Sequence, residues 1–131
     1  MSKQNLLDII NERLAVNNTT VFFAHHAAGD FKSFSQGKKK QVIALIIKQS
    51  QKGALLRPDG NGIRLRGKLK EFGKIKNKAI NIRIIYRPVE LNDGKIEMQI
   101  IAIGPRDREE VYDKAKDRLI AFFDELERNK K

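Results

Sequence analysis

The chain has 131 residues, no cysteine and a formal charge of +11, from 27 Lys and Arg against 16 Asp and Glu. One domain of this length can bury a real core without staples, and the missing cysteines exclude disulfides, thiolate catalysis and cysteine-bound zinc. Met1 to Asn5 carries no signal-peptide pattern and no apolar run reaches membrane-spanning length, so a soluble, cytoplasmic protein is expected, with a charge field suited to polyanions.

Leu6, Leu7, Ile9, Ile10 and Leu14 recur at helical spacing behind Ser2, which predicts an amphipathic helix over 3–14 that Asn17 and Asn18 break. Thr19 to Ala24 is β-branched and aromatic and reads as a first strand. A short helix is expected over 27–34. Ser35 then precedes a helix over about 36–51 with Val42, Ile43, Ile46 and Ile47 on a face opposite Lys38, Lys39 and Lys48, which Gly53 ends and Pro58 keeps from continuing. The segment from Arg57 to Gly62 is a loop by composition. Three strands follow, at 72–76, 80–88 and 96–103. In the middle one Ile80, Ile82, Ile84 and Tyr86 alternate with Asn81, Arg83, Ile85 and Arg87, and Asn92-Asp93-Gly94 marks a hairpin before the last. Asp107 with Glu110 is placed to cap a final helix over about 108–128, with Val111, Ala115, Leu119, Phe122 and Leu126 as its apolar stripe. The expected fold is α+β: a twisted antiparallel sheet of about four strands, two helices on one side, a C-terminal helix and an extra N-terminal helix. Residues 1–17 are read as a helical extension that packs on the domain or mediates self-association, and 18–131 as the domain itself.

The charge is not evenly spread. Nine basic residues (Arg64, Arg66, Lys68, Lys70, Lys74, Lys76, Lys78, Arg83 and Arg87) stand against one acid, Glu71, between Arg64 and Arg87, whereas the span from Asp107 to Arg128 has eight acids and five bases. Such clustering favours a nucleic-acid face over a generally basic surface. Other chemistries lack their parts. His25 and His26, placed in the strand region, would point to opposite faces and have no carboxylates nearby, so no metal is expected. The glycines at Gly60 and Gly62 lack the lysine and the preceding strand of a phosphate-binding loop, and no cofactor is called for. Lysine, arginine and tyrosine remain. They suit metal-free RNA cleavage by the RNA's own 2′-hydroxyl, which needs in-line positioning, positive charge around the transition state and a proton carrier.

Four segments carry a resemblance: Leu65 to Leu69, Lys74-Ile75-Lys76, Ile82-Arg83-Ile84-Ile85-Tyr86, and Ile101 to Tyr112 with Arg106 near its centre. They resemble, in order and spacing, the C-terminal half of RelE-type toxins of the RelE/ParE superfamily. The similarity spans about residues 19–120 and is most specific from Leu65 onward. Pro105 stands where those toxins usually have lysine. The resemblance implies a ribosome-dependent endoribonuclease (an mRNA interferase), the toxin of a type II toxin–antitoxin system, inhibiting translation, with mRNA, the ribosome and a cognate antitoxin as partners. It implies that Lys74 and Lys76 hold phosphate, with Lys76 the better candidate for general base. Arg83 would stabilise developing charge, Arg106 would act at the leaving group, and Tyr112 would stack on a base. Arg64, Arg66, Lys68, Lys70, Lys78 and Arg87 would contribute to RNA or phosphate binding.

Other readings stay open at this point. Lys74 and Lys76 can be solvated edge-strand residues, Arg83 and Arg106 can pair with Glu71 or Glu97, and Tyr112 can pack beneath its helix. A ParE-like DNA gyrase poison and a non-catalytic RNA-binding module remain alternatives of the same fold. The deciding expectation is geometric: Lys74, Lys76, Arg83, Arg106 and Tyr112 must share one surface.

Overall fold

A computed structural model describes residues 6–105 and 109–129. The first helix, α1 (Leu6–Ala15), buries Ile10 and Leu14 and packs on β1 (Thr19–Phe23). Its Asn11 side-chain oxygen accepts from the Val21 N–H at 2.9 Å, covering an edge donor of that strand. The next helix, α2 (His25–Lys32), starts earlier than the spacing predicts, so His25 and His26 lie in its first turn and not in a strand. Both are exposed. In α3 (Gln36–Lys52) the Ser35 hydroxyl accepts from the Lys38 N–H at 3.2 Å, Val42 and Ile46 are buried, and Gly53 ends the helix with φ of 117°. Only glycine takes that conformation without strain.

Five strands form one sheet in the order β1-β5-β4-β3-β2, adding β2 (Ile63–Arg64), β3 (Gly73–Asn77), β4 (Ile82–Glu90) and β5 (Ile96–Gly104). The sheet is mixed and not wholly antiparallel. The strands β2 to β5 pair antiparallel with their neighbours, but β1 pairs parallel with β5, Thr19 opposite Ile96 and Phe23 opposite Ile100. No hairpin joins β1 to β5, so turn chemistry does not dictate their direction. The fifth strand, β2, is two residues long and too short to show a period.

Helices cover both faces of the sheet. On one face Ile82, Ile84 and Tyr86 of β4 pack with Ile10, Leu14, Ala27, Val42 and Ile46. On the other, Ile85, Ile101 and Ala102 pack with Val111, Ala115 and Phe122. Adjacent residues Ile101 and Ala102 reach the same layer because the β4–β5 register slips there: Ile85 pairs with Ala102 and Tyr86 with Ile100. A bulge of this kind shifts side chains between faces without ending the ladder. Tyr86 is fully buried, and its hydroxyl donates to the Ala54 carbonyl at 2.8 Å. Burial pushes that hydroxyl well above its ordinary pKa, so it remains a neutral donor. The ring needs the space left by Gly62, where a Cβ would stand 2.6 Å from the tyrosine oxygen.

The expected single C-terminal helix is two, α4 (Glu110–Asp117) and α5 (Leu119–Asn129), separated at Arg118. Asp107, the expected cap, lies outside the described residues, and Glu109 at the cap position makes no side-chain capping bond. Arg118 is held from below. Its guanidinium donates to Asp30 at 2.7 and 3.1 Å and to the Ile101 carbonyl at 3.0 Å, while the Ile103 N–H and Lys114 Nζ also donate to Asp30 at 3.0 and 3.2 Å. This cluster fastens α4 and α5 to α2 and β5. Among the described residues no helix is long and apolar enough to cross a membrane.

Candidate functional site

The alternation of β4 decides where its cations go. Ile82, Ile84 and Tyr86 enter one core layer, so Arg83, Ile85 and Arg87 must face the other, beneath α4 and α5. Pairing with β3 then selects two lysines for that same face: Lys76 stands directly opposite Arg83, and Lys74 opposite Ile85. Residues directly opposed across an antiparallel pair have Cβ atoms about 5 Å apart. Lys74, Lys76 and Arg83 thus share one surface.

Tyr112 in the first turn of α4 completes the arrangement. The Arg83 guanidinium lies over its ring, 5.0 Å from the centroid. The tyrosine is half-buried and rests against the Val111 and Ala115 layer, leaving part of the ring accessible. Arg83 is only 9% exposed, and its Nε is a buried donor that finds no acceptor among the described residues. Gly104 pairs with Arg83 on the other side, and a Cβ there would meet Val111 at ordinary contact distance, so α4 lies directly against this end of β5. Four of the five expected residues therefore converge. Arg106 lies outside the described residues.

The physical character of this cluster is unusual for a purely structural feature. Two cations face each other across a ladder, an arrangement that costs stability when nothing negative sits between them. A buried guanidinium with a donor unused among the described residues adds a further cost. Both costs fall when an anion with several acceptor oxygens binds, and arginine offers phosphate a planar fork.

The remaining basic residues divide. Arg66, Lys68, Lys70 and Lys78 are exposed, the first three around a 3₁₀ turn (Gly67–Leu69) that touches α4. Arg64 is exposed, yet its guanidinium donates to the Lys70 and Arg57 carbonyls, both at 3.2 Å. Arg87 is half-buried, lies 5.0 Å over the Phe123 ring, donates to Gln99 at 3.3 Å and stands 3.7 Å from Glu71. Arg64 and Arg87 thus spend donors within the protein. Sequence reasoning passed over the Asp30–Lys114–Arg118 cluster, whose members are 84 and 88 positions apart. Nor did it single out Lys52, which with Lys48 of α3 and Arg57 lines a cavity beside β3. Among the described residues no three His, Asp or Glu side chains gather in a group able to hold a metal ion.

No family model matches the chain, and no curated protein matches it. Among solved structures, the isolated E. coli RelE toxin superposes with a TM-score of 0.51 at 22% sequence identity, over 76% of this chain and 96% of the toxin. The chain has a RelE-like fold. The superposition covers almost the whole of that toxin. At this level of identity the likeness is one of fold, and function must be argued from the site.

Proposed function

We propose that this chain is the toxin of a type II toxin–antitoxin pair, an endoribonuclease that cuts mRNA on the ribosome. The observation that carries the reading is the Lys76–Arg83–Tyr112 cluster: a lysine opposite a buried, donor-rich arginine that itself lies against a partly exposed aromatic ring. The reaction that suits it is transesterification. The ribose 2′-oxygen attacks the adjacent phosphorus, the bond to the 5′-oxygen breaks, and a 2′,3′-cyclic phosphate and a 5′-hydroxyl result. Lys76 takes the 2′-proton. Lys74 and Arg83 bind the phosphate oxygens as negative charge builds, an effect that is strong in a partly desolvated setting. Arg106 supports the departing 5′-oxygen, which takes a proton from solvent to become the 5′-hydroxyl. Tyr112 stacks on a base beside the scissile bond and holds the strand bent for in-line attack.

Ribosome docking then draws on the exposed cations Arg66, Lys68, Lys70 and Lys78, and an antitoxin would silence the protein by covering this face. The test is primer extension across a message in a reconstituted translation system. Cuts phased to codons, lost with Arg83→Ala and Tyr112→Ala, are expected. An uncut message together with stalled gyrase complexes on supercoiled DNA would refute the reading.

A further inference from the structure

A second cationic surface begins where β2 gives out. Ile63 opposite Lys74 is the last pair between β2 and β3, and at Gly62 the chain has turned towards Leu56. Among the described residues no strand pairs with the remainder of β3 on that edge. The Leu65 N–H bonds to the Phe72 carbonyl, so by alternation the backbone groups of Lys74 and Lys76 also point towards that side. Between this edge and the C-terminal half of α3 lies a cavity of about 250 Å³. Its lining includes Lys48, Lys52, Arg57, Lys74 and Lys76, with Asn61 among them, and among the described residues no carboxylate.

We propose that the RNA strand leaves the cleavage point over the β3 edge and runs through this groove, its phosphodiester backbone held by Lys48, Lys52 and Arg57. The inference rests on the nuclease reading for the identity of the strand, and it extends the substrate from one phosphate to several. Three features argue for it. Lys48 and Lys52 are one helical turn apart on one face, a like-charge spacing that weakens a helix unless an anion answers it. Lys74 and Lys76 line this cavity at the β3 edge, while by alternation their side chains belong to the face shared with Arg83, so the two regions meet at that edge. Lys48 and Lys52 stand about 6 Å apart along α3, the scale of one nucleotide step in an extended backbone. An acidic peptide added to the same edge would need pockets for alternate side chains. The groove offers mainly polar walls instead.

The test uses the whole protein and a fluorescent single-stranded RNA of about ten nucleotides, 2′-O-methylated so that it cannot be cut. Affinity is measured across a salt series for wild type, for Lys48→Gln/Lys52→Gln, and for the triple variant that adds Arg57→Gln. All three side chains are exposed, and thermal melts check that each variant is folded. The triple variant is expected to bind about tenfold or more weakly, with the salt slope reduced by about 2, since each lost contact to a single strand removes about 0.7. The double variant should fall between. Unchanged affinity and slope in both variants would overturn the proposal, as would normal RNA binding with loss of polyglutamate binding, which would indicate an acidic protein tail. The two readings fail separately. Cleavage that depends on Arg83 and Tyr112 alongside wild-type RNA binding by the triple variant rejects the groove alone. Weakened binding in the triple variant with no cleavage by wild type rejects the nuclease alone.

Discussion

Arg83 and Tyr112 come from a central strand and a helix 29 positions later, yet the guanidinium carbon of one lies 5.0 Å from the ring centre of the other. The contact orients the arginine and leaves its Nε without an acceptor among the described residues. Arg83→Ala is therefore expected to lower cleavage by about 100- to 1,000-fold, the usual effect of removing one preorganised donor from a developing charge. Arg83→Lys should recover little, because a point charge cannot replace the fork. Single-turnover cleavage of a ribosome-bound message measures both.

Tyr112 separates stacking from hydroxyl chemistry. If the ring stacks on a base, Tyr112→Phe keeps most activity and Tyr112→Ala loses about 1–3 kcal/mol of binding. Activity equal in the alanine variant and wild type would reduce the residue to packing. Tyr86 is the internal control. Tyr86→Phe strands the buried Ala54 carbonyl and should cost about 1–3 kcal/mol in urea unfolding while leaving the rate constant for cleavage unchanged.

Asp30 predicts a pH signature. Burial alone would raise its pKa, but the Arg118 guanidinium, the Ile103 N–H and the Lys114 charge together hold it below the ordinary 3.8. A carboxylate with a depressed folded-state pKa contributes stability that is complete above its unfolded value and disappears as pH falls through the folded one. Wild type should therefore lose stability on acidification below about pH 4 more steeply than Asp30→Asn. At neutral pH Asp30→Asn should be destabilised on the order of 3 kcal/mol, because Arg118 is left with its charge mostly buried and its partner neutral. Melting temperatures between pH 2.5 and 7 for the two proteins check both statements.

The N-terminal helix can be weighed by its core contribution. Ile10 and Leu14 are 1% and 0% exposed, so Leu14→Ala should cost about 2–5 kcal/mol and deletion of residues 1–16 more than that. Equal urea midpoints for the deletion and the full chain would contradict the packing seen here. Sedimentation of the same deletion tests the alternative role in self-association.

The placement of the candidate site's β4 residues was readable because β4 writes its two environments into consecutive residues. Ile82, Ile84 and Tyr86 on one side and Arg83, Ile85 and Arg87 on the other survive into the structure, the one register slip falling in β5. Ser35 and Gly53 marked the ends of α3 for reasons local to the backbone. What escaped was long-range. The direction of β1 depends on its docking beside β5, and Asn18 reaching the Gly94 carbonyl at 3.1 Å is part of that junction. Arg118 interrupts the last helix without a glycine or proline, its side chain drawn to Asp30 across 88 positions. Lys48 and Lys52 looked like any polar helix face, because nothing near them in the chain reveals that β3 lies alongside.

The bond from the Val21 N–H to Asn11 has a consequence for how the molecule avoids its own kind. Sheets lengthen by recruiting extended segments wherever a border strand offers unused donors, and proteins guard such borders by covering them. With α1 lying along β1, an invading chain would have to strip away a helix rooted by Ile10 and Leu14 before it could add a strand there. The chain is in this way spared one route to fibrous stacking along that border.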